Sequence, residues 1–146
     1  MASSRTASPT ARVFPLLVVA LLAGCAAREP KVDPPDPLSG TRWALVALGG
    51  SPVLSNDQAS MRFDKGRLAG SDGCNRYSTA YVATEKTLLV DKNIAATRMA
   101  CAVPVMQEAA AFTSVLTRAA AYRREGERLT LLDGEGRPLA SFSLTK

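Results

Sequence analysis

Histidine is missing altogether from this 146-residue chain. That one absence removes the commonest general base, the commonest zinc ligand and every Ser-His or Cys-His nucleophile pair. Serines occur without a Gly-x-Ser-x-Gly elbow or a Ser-x-x-Lys box. The carboxylates Asp57, Asp64, Asp72, Glu85, Asp91, Glu108 and Asp133 show no pairing that sets a general acid against a general base. The sequence therefore offers no catalytic residue, no metal-ligand set and no cofactor motif. Runs of four or more basic residues are absent too, so the formal charge of +5 reads as a solvated surface and not as a nucleic-acid footprint. Aromatic residues are few and Trp43 is the only tryptophan, which leaves the core to Leu, Val, Ala, Met and Phe.

Long apolar runs are equally scarce. The longest, Val13 to Ala23, is too short to span a bilayer as a helix and is weakened by Pro15. It follows a polar start carrying Arg5 and Arg12, and its length suits a signal-peptide h-region. Leu22-Ala23-Gly24-Cys25 comes next and resembles the lipobox of bacterial lipoproteins. The resemblance implies cleavage after residue 24 and acylation of Cys25, with two or three acyl chains giving stable membrane anchoring. Loss of Arg5 and Arg12 would lower the net charge to about +3. By resemblance to enterobacterial lipoproteins, in which an aspartate at this position would favour inner-membrane retention, Ala26 implies the periplasmic face of the outer membrane in a two-membrane envelope. The segment 25–40, with Pro30, Pro34, Pro35 and Pro37, reads as an extended tether reaching on the order of 45 Å.

One domain is expected over 41–146. Thr41 to Leu48 reads as a strand with Trp43, Leu45 and Ala47 on one face, and Ala59 to Asp64 as a second. Asp64-Lys65-Gly66-Arg67 is a hairpin signal, with Arg67 to Gly70 returning. The stretch Gly70 to Tyr77 joins this strand-like run to a more irregular segment, and Thr87 to Val90 and Asn93 to Thr97 are short extended candidates. Between Pro104 and Ala120 the period changes. Val105, Ala109, Phe112, Leu116 and Ala119 recur at helical spacing, and Glu108 is placed near the positive end of the helix. Ala121 to Glu125 and Arg128 to Leu132 form a hairpin pattern, and Leu139 to Thr145 alternates as a last strand. The expected fold is mainly β: a small antiparallel barrel-like sheet with one amphipathic helix packed against it.

If Cys25 carries lipid, Cys74 and Cys101 remain as an even pair in an oxidising compartment. A structural disulfide is the favoured reading, stabilising by roughly 3–4 kcal/mol; two unpaired thiols are the alternative. Gly70-Ser71-Asp72-Gly73 lacks the ending of a phosphate loop and reads as a turn that needs glycine. Asn75 ties that turn through its amide. Tyr77 and Tyr81 read as half-buried packing, with a share in a groove as the alternative.

Three groups of residues together resemble the META domain family. They are Trp43-Ala44-Leu45; Gly66 to Gly70 with Gly73-Cys74-Asn75-Arg76-Tyr77; and Thr97-Arg98-Met99-Ala100-Cys101. The match covers essentially 41–144 and is similar to the HslJ-like heat-shock lipoproteins of bacterial envelopes. The resemblance implies a β-rich barrel-like fold with a helix, and an association with envelope stress or antibiotic tolerance without catalytic activity. The expected partners are the membrane, through the N-terminal lipid, and an envelope protein or small ligand. The alternative function is a small barrel that holds an apolar ligand or inhibits a secreted protease.

Overall fold

The computed structural model describes residues 35–53 and 59–146. The signal segment, Cys25 and most of the tether lie outside the described residues. Among the described residues ten strands and one helix follow one another as β1 (Arg42–Leu48), β2 (Ser51–Pro52), β3 (Ser60–Asp64), β4 (Arg67–Ser71), β5 (Arg76–Ala83), β6 (Leu88–Val90), β7 (Ala95–Ala96), α1 (Val103–Arg118), β8 (Ala121–Glu125), β9 (Arg128–Leu132) and β10 (Pro138–Leu144). All pairings are antiparallel, in the order β6-β5-β4-β3-β1-β10-β9-β8. The two ends of this path nearly meet. The Leu88 N–H donates to the Ala120 carbonyl at 3.2 Å and the Tyr122 N–H to the Lys86 carbonyl at 3.1 Å. The result is a nearly closed barrel-like sheet of eight strands with β2 and β7 paired off its path. Closure matters physically because it leaves little exposed sheet edge for pairing with other chains.

Inward side chains fill the barrel. Trp43, Leu45, Met61, Phe63, Leu68, Leu129, Leu131 and Phe142 are all essentially inaccessible. The helix completes the core. Pro104 sits in its first turn, where a missing N–H costs nothing. Ala109, Phe112, Val115 and Leu116 form its buried stripe, and Phe112 packs between Tyr77 and Phe142 at centroid distances of 5.7 and 6.2 Å. The expected stripe was right at Ala109, Phe112, Leu116 and Ala119, but Val105 is only half-buried and Val115 takes a core place. Glu108 falls in the second turn, and no acidic residue occupies the first.

Three local expectations need correction. The segment that follows Tyr77, expected to be irregular, continues instead as the eight-residue strand β5. Tyr77, Thr79, Tyr81 and Ala83 point inward while Arg76, Ser78, Ala80 and Val82 point out. In β1 the face of Trp43 and Leu45 does not continue to Ala47, because the register with β10 shifts between Leu45 and Ala47 and sets Ala47 opposite Ser141 and Leu48 opposite buried Ala140. The folded unit also begins before Thr41. Leu38 is fully buried, Asp36 accepts the Leu38 N–H at 3.0 Å, and the Gly40 N–H donates to the Phe63 carbonyl at 2.8 Å. Residues 36–40, assigned from sequence to the tether, are thus part of the domain: an apolar side chain there has a core site to fill.

Candidate functional site

The strand β4 runs beside β3 with Met61 opposite Gly70 and Ser60 opposite Ser71. A Cβ placed on Gly70 would lie 2.0 Å from the Ser60 carbonyl oxygen, so only glycine fits. Gly70 therefore serves close approach within a strand, and the turn expected there belongs to Gly73, which has φ 97°. The approach has a second consequence: the Tyr77 hydroxyl donates to that same Ser60 carbonyl at 2.9 Å. Burial, aided by the nearby Asp72 charge, holds the Tyr77 phenol protonated far above its ordinary range.

Beyond Gly70 the chain makes a tight turn around Asp72. This carboxylate is buried, and its Oδ1 accepts the Cys74 N–H at 2.8 Å and the Asn75 N–H. The turn presents Cys74 to Cys101, and the two are joined in a disulfide with Cα atoms 6.0 Å apart. With a sequence separation of 27 between the cysteines, cross-linking contributes about 3.5 kcal/mol in the chain-entropy model. Asn75 Oδ1 fastens the same two segments by accepting the Met99 N–H at 2.8 Å and the Thr97 hydroxyl at 3.1 Å. Thr97 in turn accepts the Arg76 N–H through Oγ1 at 3.1 Å and donates its own N–H to the Arg76 carbonyl at 3.0 Å. The motif residues Gly70, Gly73, Cys74, Asn75, Arg76, Thr97, Met99 and Cys101 thus form one knot. Trp43 stands apart, in the barrel wall, with its indole N–H on Thr41 Oγ1 at 2.8 Å and the Arg124 guanidinium 5.4 Å from its ring centroid.

The knot forms one wall of an open cleft of about 920 Å³. Its floor is the outer face of β3, β4, β5 and β7, where Ala69, Ser78 and Ala95 follow one another across the strands. Arg42, Arg62, Arg67 and Arg76 line it, and among the described lining residues there is no carboxylate. The sequence reading named Arg76 alone among these. The signal that could have found the others is the alternation of the strands, which puts Arg62 and Arg67 on the face opposite Met61, Phe63 and Leu68.

Among the described residues lining the cleft, no acid–base or nucleophile pair is assembled. Cys74, the one sulfhydryl candidate in its lining, is oxidised. Tyr77 reaches the lining with its hydroxyl tied to Ser60, and the other titratable groups with shifted pKa values lie elsewhere. Asp36 takes the Tyr81 hydroxyl, and burial followed by that carboxylate pushes the Tyr81 phenol up. Asp133 accepts the Arg137 and Glu135 N–H groups and pairs with the Arg137 guanidinium at 2.8 Å, which hold its carboxyl below the usual range. Among the described residues no group of His, Cys, Asp and Glu is arranged to hold a metal ion, and no helix is long and apolar enough to cross a membrane.

Comparison with known proteins places this geometry in a family. Among curated proteins, the heat shock protein HslJ of Escherichia coli is 30% identical over 89 residues, covering 60% of this chain and 63% of the relative. A solved protein structure determined by NMR is 25% identical with TM-score 0.59, covering 73% of this chain and 91% of the other. An NMR structure from Burkholderia xenovorans shares the fold at 24% identity and TM-score 0.61, covering 78% and 91%. A duf4847 family protein from Bacteroides vulgatus shares it at 13% identity and TM-score 0.54, covering 73% and 94%. The family model of the META domain matches residues 36–146, from the Asp36 turn that starts the folded unit. The chain belongs to the META domain family.

Proposed function

We propose that this protein is a non-enzymatic, lipid-anchored component of a bacterial envelope that supports the envelope under stress by binding another envelope component. The observation that carries the reading is the open cleft beside the disulfide-fastened knot. Four cations line it, its floor is made of small side chains, and its described lining residues include no acid–base or nucleophile pair. Fixing the wall through a disulfide and Asn75 preorganises a binding surface, which lowers the entropic cost of association. The printed name of the HslJ relative supports the stress association, and the lipobox-like segment ending at Cys25 supports the anchor. The packed interior favours surface binding over an apolar ligand held inside the barrel, because Trp43, Phe63, Phe112 and Phe142 fill that space.

The test is site-directed photo-cross-linking in cells. A photoreactive residue at Ala69, on the cleft floor, should capture a specific envelope component. The same residue at Arg123, on β8, should not. Equal capture from both positions, or none from Ala69, would remove the cleft from the account. Palmitate labelling should disappear in Cys25→Ser, and labelling that persists would remove the anchor.

A further inference from the structure

Arginine placement on the outer face of the sheet is the feature that folding leaves unexplained. Arg42 and Arg62 stand directly opposite one another across β1 and β3. Like charges in that position destabilise a sheet. Both are exposed, as are Arg67 and Arg76. Among the described residues the ion pairs centre on Asp133 and Glu135, and none reaches these four arginines. A cationic surface kept without internal neutralisation is complementary to an anionic partner.

The spacing of the arginines says what kind of anion. Arg67 is opposite Ala80 on β5, and Arg76 lies four residues back along that strand. The two cations are therefore about 13 Å apart along the strand direction. One phosphate cannot engage both. The backbone amides that could form an anion cradle at the turn are also occupied, since Cys74 and Asn75 donate to Asp72 and Gly73 donates to Ser71 Oγ. Met99, 61% exposed and part of the lining, adds an apolar contact that a simple inorganic anion would leave unused.

We infer that the cleft binds an extended acidic segment of a partner protein. The inference deepens the cleft-binding reading and rests on it. In an extended chain alternate side chains face the same way, and residues i and i+4 are separated by about 13 Å. Carboxylates at i, i+2 and i+4 of a segment lying along β4 and β5 would all face the floor. The first and last would meet Arg67 and Arg76. The small side chains of Ala69, Ser78 and Ala95 leave room for a backbone to lie across them, and Met99 meets an apolar side chain at one end. Arg42 and Arg62 bind on the flank, where guanidinium pairs with carboxylate in two parallel hydrogen bonds.

The test uses the purified full-length chain and a fluorescein-labelled peptide of alternating glutamate and threonine, about nine residues long so that it spans both arginines. Fluorescence anisotropy should show saturable binding that weakens as salt rises. A lysine–threonine peptide should not bind. Arg67→Glu with Arg76→Glu should weaken binding by about thirtyfold or more, whereas Arg123→Glu, outside the cleft, should change it less than about twofold. Unchanged near-ultraviolet circular dichroism would show that the variants are folded. Absence of saturable binding overturns the inference, as does equal weakening by Arg123→Glu. Inorganic tripolyphosphate or phosphatidylglycerol vesicles binding through Arg67 and Arg76 more tightly than the peptide would reassign the cleft to phosphate. The cross-link from Ala69 separates the two levels. A capture that survives the double reversal keeps the cleft reading and ends the acidic-partner inference; loss of capture in the double reversal supports both.

Discussion

Replacing Gly70 by alanine adds one methyl group, and the structure specifies what that methyl meets. Its carbon would be 2.0 Å from the Ser60 carbonyl oxygen and 2.8 Å from the carbonyl carbon, both rigid backbone atoms of β3. The strands would have to separate by an ångström or more, and no rotamer change can relieve the contact. Overpacking of this kind costs about 1–3 kcal/mol. Separation also weakens the Tyr77 hydroxyl bond to Ser60, worth about 1 kcal/mol. Reduced freedom of the unfolded chain returns about 0.4–1 kcal/mol. The expected net loss is about 2–3 kcal/mol, or about 10 °C in melting temperature for a domain of this size. Urea unfolding followed by the fluorescence of buried Trp43 measures it. Gly134→Ala is the internal control, because nothing lies within 4 Å of its added carbon, and it should be neutral or slightly stabilising. A Gly70→Ala protein within about 0.5 kcal/mol of the parent would refute the reasoning.

The remaining predictions concern the knot and the acid limb. Replacing Cys74 and Cys101 together by serine should lower unfolding free energy by about 3.5 kcal/mol in the same urea assay, and a loss below about 1 kcal/mol would contradict the loop-closure argument. Asn75→Ala removes the acceptor of the Met99 N–H and the Thr97 hydroxyl. It should cost about 1–2 kcal/mol and speed amide exchange at Met99 with the disulfide intact. Asp133 has a folded-state pKa below its unfolded one, so its contribution is complete above about pH 4 and is lost as pH falls through the lower folded value. Asp133→Asn should therefore flatten the acid limb of the stability profile, and an unchanged limb would show that its arginine and amide contacts carry no net weight.

Much of this molecule was legible in the sequence, and the exceptions share a cause. The helix could be read because Ala109, Phe112, Leu116 and Ala119 repeat at a period that a solvent-facing helix requires. Gly73 and Asn75 could be read because turn chemistry is local. The strand β5 was missed because its inward residues, Tyr77, Thr79, Tyr81 and Ala83, are polar-tipped or small, so its alternation looks weak by hydropathy. Gly70 was noticed for the wrong reason: its necessity comes from a neighbouring strand, and no local pattern reports a cross-strand approach. Leu38 was hidden behind the prolines that precede it, although the barrel needs it as core. The cleft depends on strand register. Arg42, Arg62, Arg67 and Arg76 come from four strands, and only the pairing places them on one surface.

The cleft-binding reading depends on the segments around Cys74 and Cys101 being one covalently fastened wall. Alkylation of native protein isolated from cells, followed by non-reducing digestion and mass spectrometry, tests this most directly. The account predicts a cross-linked pair of peptides joining Cys74 to Cys101, with neither thiol alkylated. Recovery of both cysteines as alkylated, unlinked peptides would contradict it.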